Sequence, residues 1–251
     1  MKSRRPTQED VARLAGVSQS AVSQVLNQSD TIAIPEETRQ RVLSAVDQLG
    51  YIPNRSAQSL RTQRTFTIAT VIPDITNPFY PAFQRGIQSV TSTYNYDLIV
   101  YDTEEKEENE IRSLRSLERA GVDGAIMVVW HLDAKHFKPL IEQNIPIVIW
   151  RGRPRTEGNP NLDTIYVDNV SMAKACVSYL IGKGHTRIGM IAGLEDTPPR
   201  KNRIDGFCEA LSEHHLPLDD VLIQGGDFTE SGGYLGMKKL LALKNRPTAV
   251  F

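Results

Sequence analysis

Apolar side chains recur with helical spacing over residues 7–50 and predict three short helices separated by turns. The first helix has an inward stripe at positions i, i+3 and i+4, formed by Val11, Leu14 and Ala15. Thr7 can cap this helix, and Asp10, three residues later, can bond back to Thr7 in a capping box. Gly16 lies where the chain must turn. The third helix is predicted to start at Pro35 and to stop at Gly50; its apolar face consists of Val42, Ala45, Val46 and Leu49.

The second helix, capped by Ser18, carries small and amide side chains where a core helix would carry apolar ones. Its inward positions are Ala21, Val22, Val25 and Leu26, and its outward positions are Gln19, Ser20, Ser23 and Gln24. The outward positions fall on the first turns, which is the part of a recognition helix that enters the DNA major groove. The pattern therefore predicts a helix-turn-helix that reads DNA. An ordinary helical hairpin with a solvated polar face is the alternative.

Pro53 ends the helical pattern, and residues 54–64 contain three arginines, no acid and only Ala57 and Leu60 as apolar members. Such a segment has little to bury, and we expect it to become ordered on a polyanion. A solvated basic linker is the alternative.

From Thr65 onward, short runs rich in Val and Ile alternate with helical patterns, which predicts parallel sheets with right-handed crossovers. Strands are predicted at residues 66–72, 97–101, 124–130, 146–150, 164–167, 187–192, 221–224 and 248–251. Helices are predicted at residues 79–94, 107–120, 170–182, 203–214 and 231–243. The polar run 151–161 reads as a break between two α/β lobes, about 65–151 and 162–251, that face each other across a cleft.

The charge is unevenly distributed along the chain. Residues 1–64 contain nine Lys and Arg against six Asp and Glu, a net charge of +3, whereas the remainder has 20 against 24, a net charge of −4. A basic head on an acidic body is expected if only the head touches phosphate. No apolar run approaches the roughly 20 residues of a membrane span, and the first residues lack the apolar stretch of a signal peptide, so we expect a cytoplasmic protein.

Four motifs together resemble the LacI/GalR family of bacterial transcriptional regulators. They are residues 7–27, the stretch from Pro35 to Asn54, the run Ser59-Leu60-Arg61-Thr62, and the run Asp74-Ile75-Thr76-Asn77-Pro78-Phe79. The resemblance covers essentially the whole chain. It implies a helix-turn-helix domain at 1–52, a hinge at 53–64 and, at 65–251, a two-lobed α/β body like that of periplasmic binding proteins. It also implies a homodimer or a dimer of dimers that binds a near-palindromic DNA operator and is controlled by a sugar-like effector. The family's chains run on beyond the position of Phe251, so we expect this chain to lack a C-terminal part of the body.

By the same resemblance, Gln19, Ser20 and Gln24 read bases, and Leu60 is the wedge that enters the minor groove and kinks the duplex. The full set of expected DNA contacts is Thr7, Ser18, Gln19, Ser20, Ser23, Gln24, Asn27, Asn54, Ala57, Gln58, Leu60 and Arg61. Three positions depart from many relatives. Residues 21–24 read Ala-Val-Ser-Gln instead of Thr-Val-Ser-Arg, and Gln58 stands where an arginine is frequent. Because Gln pairs best with adenine, the operator half-site is expected to differ from the usual one.

Ligands of open parallel sheets bind beyond the carboxyl ends of the strands. The residues expected there to contact the effector are Asn77, Phe79, Tyr80, Asp102, His131, Arg151 and Arg203. Aromatic faces mixed with carboxylate and guanidinium groups suit a polyhydroxylated ligand. The resemblance supports Asn77, Phe79 and Arg203, and Asp168-Asn169 matches a family pattern beside the cleft. Structural alternatives are a core role for Phe79, a strand-end turn for Asp102 and a helix cap at Asn77-Pro78.

Other functional classes have less support. The sequence has no Gly-rich dinucleotide or P-loop motif and no nucleophile elbow, so an enzyme is not expected; a sugar-modifying enzyme fused to a DNA-binding head is the alternative. A periplasmic-type sugar carrier is a further alternative. Cys176 and Cys208 lack motif spacing, and His214-His215 has no third ligand nearby, so no metal and no cofactor is expected.

Overall fold

The computed structural model describes residues 5–26, 34–53, 59, 62–151 and 162–251. The chain divides into two compact units, residues 1–65 and residues 66–251. The first unit is called the head and the second the body.

The head contains three helices, α1 (Gln8–Ala15), α2 (Gln19–Leu26) and α3 (Glu36–Leu49). The predicted capping box at Thr7 and Asp10 is confirmed, and Gly16 and Gly50 end their helices in the left-handed conformation that glycine adopts without strain. The core of the head contains Val11, Ala12, Ala15, Val22, Val25, Val42, Ala45 and Tyr51.

The prediction that Leu14 faces inward is wrong, because its side chain is 50% exposed while Ala12 is buried. At about 100° per residue, Val11, Ala12 and Ala15 share one arc of α1 and Leu14 lies off the edge of that arc. The helix packs this arc against both α2 and α3.

The first lobe of the body has a five-stranded parallel sheet in the order β2-β1-β3-β4-β5. The strands are β1 (Thr67–Ile72), β2 (Asp97–Asp102), β3 (Gly124–Val128), β4 (Ile147–Arg151) and β5 (Leu162–Tyr166). Its helices are α4 (Phe79–Thr91), α5 (Glu107–Ala120) and the short α6 (Lys138–Glu142), which the sequence pattern did not predict. Met127, Ile147 and Ile149 lie in the buried core of this lobe.

The strand β5 belongs to this first sheet and not to the second lobe, which corrects the predicted lobe boundary. Ile147 pairs with Leu162 and Arg151 with Tyr166 in parallel register. Residues 152–161 therefore stand in the sequence between two neighbouring strands of one sheet. The chain passes to the second lobe after β5, between Tyr166 and Asn169.

The second lobe has a three-stranded parallel sheet in the order β7-β6-β8. The strands are β6 (Ile188–Ile191), β7 (Ile223–Gln224) and β8 (Ala249–Val250), and the helices are α7 (Asn169–Gly182), α8 (Pro198–Glu213) and α9 (Glu230–Ala242). Helices α7 and α8 pack closely: a Cβ added at Gly206 of α8 would lie 2.2 Å from the carbonyl oxygen of Val170.

Helix α8 begins five residues before the predicted start at Arg203. Pro198 and Pro199 read as loop residues in the sequence, but they occupy the first two helical positions, where the missing N–H groups cost nothing. No helix in the described part of the chain combines the length and apolar character that crossing a bilayer requires.

Candidate functional site

The outward face of α2 is polar, as the sequence pattern indicates. Gln19 and Ser20 are exposed, whereas Ser23 and Gln24 are half-buried beside the buried Val22 and Val25. Ser18 accepts a hydrogen bond from the N–H of Ala21 (3.2 Å), so its hydroxyl caps α2, and its Oγ also lies 2.8 Å from that of Ser20. The face thus presents amides and hydroxyls, which can both donate and accept hydrogen bonds at base edges or phosphates.

Thr7 is engaged within the head, because its hydroxyl donates to Oδ2 of Asp10 (2.7 Å). The other predicted DNA contacts, Asn27, Asn54, Ala57, Gln58, Leu60 and Arg61, lie outside the described residues.

A cleft of about 1150 Å³ lies in the body at the carboxyl ends of both sheets. This volume slightly exceeds the usual range for small-molecule sites, about 300–1000 Å³. Its walls on the first lobe include Asn77, Phe79, Tyr80, Val128, Trp130 and Trp150. Its walls on the second lobe include Asn169, Thr197, Arg200, Lys201, Arg203 and Phe228.

The first-lobe wall is an aromatic cluster. The Phe79 ring meets that of Trp150 edge-on at 5.6 Å between centroids, and Phe83 lies 5.2 Å from Trp150. Phe79 is 47% exposed and lines the cleft, so it is not a core residue. Tyr80 is buried, and this burial, with the carboxylates of Glu105 and Asp74, raises the pKa of its hydroxyl above the ordinary value. The wall is therefore apolar, with a phenol that stays protonated.

The second-lobe wall centres on Arg203. Its Nε–H donates to Oδ1 of the buried Asn169 (3.1 Å), and its guanidinium carbon lies 5.9 Å from the centre of the Phe228 ring. Burial lowers the pKa of Arg203, although a guanidinium keeps its charge in proteins. Its terminal nitrogens donate no hydrogen bond to the residues that the structure describes. A half-buried cation with donors left over suits a ligand with several oxygens.

Two predicted effector contacts do not line the cleft. The Asp102 carboxylate accepts hydrogen bonds from the N–H groups of Ile75 (3.2 Å) and Glu104 (2.9 Å), which is the strand-end turn noted as its alternative. Nδ1 of His131 lies 3.3 Å from Oε1 of Glu110, so its ring faces the first lobe. Arg151 ends β4, but its side chain lies outside the described residues. Nearby polar groups of the first lobe thus hold Asp102 and His131.

Sequence reasoning missed most residues of the cleft as contacts, among them Trp130, Trp150, Asn169 and Phe228. Trp130 and Trp150 were assigned only to strands, and Asn169 only to a family pattern. Their positions at the ends of β3, β4 and β5 were the available signal, because the carboxyl-end rule applies to them equally. Phe228 follows β7 and takes a positive φ of 62°, which no pattern in the sequence marks. Its ring fills the space that a side chain at Gly193 would occupy.

The described residues contain no group of three or more His, Cys, Asp or Glu side chains that could hold a metal ion. Cys176 is exposed and Cys208 is half-buried, and both are free thiols.

Family models match both units of the chain. A model described as "Bacterial regulatory proteins, lacI family" matches residues 7–54. A model described as "Periplasmic binding proteins and sugar binding domain of LacI family" matches residues 65–251.

Individual proteins match over nearly the whole chain. Catabolite control protein A of Priestia megaterium is 32% identical over 243 residues, which is 96% of this chain and 72% of that protein. The ribose operon repressor of Escherichia coli (strain K12) is 34% identical over 245 residues, or 98% of this chain and 73% of the repressor.

Solved structures agree with these matches. A complex of the transcriptional regulator CelR with cellobiose is 32% identical, with a TM-score of 0.58, and the match covers 94% of this chain and 70% of that one. A lac repressor dimer bound to operator and an anti-inducer has a TM-score of 0.81 at 23% identity, covering 98% of this chain and 73% of that one. The second match shows the fold alone.

Proposed function

The chain belongs to the LacI family of bacterial regulatory proteins, and we propose that it is a transcriptional repressor whose DNA binding is controlled by a sugar-like effector held between the two lobes. The observation that carries the effector part is the cleft itself, with aromatic rings on one wall and the Arg203 guanidinium on the other. Sugars offer apolar C–H faces that stack on rings and hydroxyls that accept from a guanidinium. The cellobiose bound to CelR supports the same class of ligand.

In this proposal the head binds double-stranded DNA in the cytoplasm through the polar face of α2. Gln19, Ser20 and Gln24 read base edges, and Ser18 and Ser23 contact the backbone. Two heads of a homodimer, or of a dimer of dimers, bind the halves of a near-palindromic operator, since a two-fold assembly matches a two-fold site. The hinge residues named from the sequence complete the contact in the minor groove.

Ligand control requires that the effector bind one arrangement of the lobes better than another. Phe79 and Trp150 belong to one lobe and Arg203 to the other, so a ligand that contacts both walls has this preference. Effector binding then changes the spacing of the two lobes.

The direct test is a panel of pentoses, hexoses and disaccharides, including ribose and cellobiose, assayed by thermal shift and by binding to a selected operator. At least one sugar is expected to raise the melting temperature and to change operator affinity. Arg203→Ala should abolish both effects, and Arg115→Ala, which removes an exposed arginine from α5, should leave both unchanged. A panel without any response would refute the proposal.

An enzymatic body is the second class to consider. The matched proteins named above are regulators by name, and no observation in the cleft favours a reaction. Turnover of a panel sugar by the purified chain would favour the enzyme.

A further inference from the structure

Glu110 is a carboxylate with no exposed surface, on helix α5 of the first lobe. Its oxygens accept hydrogen bonds from two successive backbone N–H groups, those of Trp130 (2.8 Å) and His131 (3.0 Å). Nδ1 of His131 lies 3.3 Å from the same carboxylate. Burying a carboxylate is costly unless hydrogen bonds compensate it, and here the loop after β3 supplies those bonds.

The loop that hydrogen-bonds to Glu110 carries the Trp130 ring, which faces the other lobe. Trp130 lines the cleft, and its centroid lies 6.4 Å from that of Phe228, which follows β7. Phe228 in turn lies beneath Arg203. The Trp130 ring is therefore a contact between the first lobe and the aromatic and cationic wall of the second.

We propose that Glu110 is a positioning residue for the cleft: by fixing the backbone at residues 130 and 131, it holds the Trp130 ring against Phe228. The inference rests on the proposed function of the cleft as an effector site, although Glu110 itself touches no ligand. The loop is fixed again further on, where the Asp133 N–H donates to Nδ1 of His136 (3.0 Å) and Asp133 caps the following turn. Between β3 and that turn, the backbone is held by the two hydrogen bonds to the Glu110 carboxylate.

The role needs a glutamate at this position. Glutamine keeps one acceptor oxygen, but its NH₂ group would face the second N–H and leave it unpaired. Aspartate is one methylene shorter and cannot reach both N–H groups from the same place on α5. Neither glutamine nor aspartate can therefore accept both hydrogen bonds, from the N–H groups of Trp130 and His131, although each substitute keeps the side chain polar.

The chain has two tryptophans, so Trp150→Phe leaves Trp130 as the only indole. In this background, fluorescence reports directly on the Trp130 ring and requires no ligand. We expect Glu110→Gln to shift the emission to longer wavelength and to raise quenching by acrylamide, as Phe228→Ala does. In the Phe228→Ala background, Glu110→Gln should add less than half of its original shift, because the two residues act on one contact. Glu110→Asp should behave like Glu110→Gln.

Ser113→Ala is the matched control. Ser113 is buried one turn further along α5, and its hydroxyl donates only to the backbone oxygen of Glu110 (2.7 Å). Its removal should leave the Trp130 emission unchanged. Unaltered emission in a folded Glu110→Gln protein, or equal shifts with and without Phe228, would overturn the proposal.

A second measurement covers the case in which Glu110→Gln does not fold. In the Trp150→Phe protein, amide hydrogen exchange at Trp130 and His131 should be as slow as in β3 itself. Fast exchange at these two amides would contradict the proposal that Glu110 fixes the backbone at residues 130 and 131. Both readouts are independent of effector, so a failed sugar panel refutes the proposed function alone.

Discussion

The Nε–H of Arg203 donates a 3.1 Å hydrogen bond to Oδ1 of Asn169, and the amide nitrogen of Asn169 donates in turn to the carbonyl oxygen of Val167 (3.2 Å). One buried amide thus links the cation of the cleft to the segment where the chain passes between lobes. Asn169 is the first residue of α7, so this link is anchored in a helix.

Asn169→Ala should destabilise the body by about 1–2 kcal/mol, because two hydrogen bonds of a buried amide are lost. It should also weaken the thermal response to effector, since Arg203 loses its fixed orientation. Denaturant unfolding and thermal shift measure the two effects. Asn109→Ala is the control: the Asn109 amide bonds the backbone oxygen of Thr103 (3.0 Å) away from the cleft. An equal loss of response in both variants would contradict the link.

Gln24→Arg should move the preferred operator half-site toward guanine at one position, because Arg pairs with guanine and Gln with adenine. The expected discrimination is about 1–3 kcal/mol at that position. Selection from a random library measures it. Gln40→Arg adds the same charge on the exposed face of α3 and should strengthen binding without changing the motif. If both variants select the parent motif, Gln24 does not read a base.

Glu105→Gln should stabilise the protein near pH 7. Burial, followed by the carboxylates of Asp74, Asp227 and Asp102, raises the pKa of Glu105. Because the folded state then holds the proton more tightly than the unfolded chain, stability is lost as pH rises through the unfolded and then the folded pKa. The gain should be below about 1 kcal/mol, since water screens a partly exposed carboxylate. It should vanish below about pH 4, where the carboxyl is neutral in both states.

Glu104→Gln is the neighbouring control for this pH series. The Lys106 ammonium, 2.7 Å away, lowers the pKa of Glu104, so this carboxylate favours folding when ionised. Its removal should slightly lower stability near pH 7. Thermal melts from about pH 3 to pH 8 show whether each substitution raises or lowers stability, and a loss of stability in Glu105→Gln near pH 7 would count against the raised pKa.

Gly206→Ala should destabilise the second lobe by about 1–3 kcal/mol, the usual cost of overpacking. The new Cβ would lie 2.2 Å from the carbonyl oxygen of Val170, so α7 and α8 must separate. Gly86→Ala is the control on α4, where nothing lies within 4 Å of the added atom. It should be neutral or stabilising by up to about 1 kcal/mol. Equal unfolding midpoints would show that the two helices separate without cost.

The order of the strands and of the longer helices could be predicted from the sequence, because each of them has its own hydrophobic period and its own terminating residues; the five-residue helix α6 is too short to show such a period. Helix α5 (Glu107–Ala120) was predicted with its observed bounds, as its apolar stripe ends at Gly121. Sheet membership was harder to predict. The pattern of β5 is the same whether it pairs with β4 or starts a new lobe, and only the parallel register of Ile147 with Leu162 decides between them.

Site residues show a similar limit. The carboxyl-end rule placed Phe79 and Arg203 correctly beside the cleft, since backbone direction alone decides that. It could not say where a side chain turns after the strand ends. Asp102 accepts from the N–H of Glu104 and also from that of Ile75, 27 residues away, and His131 turns to Glu110, 21 residues away. Competition between partners of this kind is set by tertiary packing.

Because the described chain leaves the first sheet at Tyr166 and enters α7 at Asn169, the bond from Arg203 to Asn169 lies beside the segment that connects the two lobes. A rotation about a pivot moves distant atoms much further than near ones. If the lobes rotate about this connecting segment, a ligand that displaces Arg203 by a fraction of an ångström produces a larger displacement at the far end of each lobe.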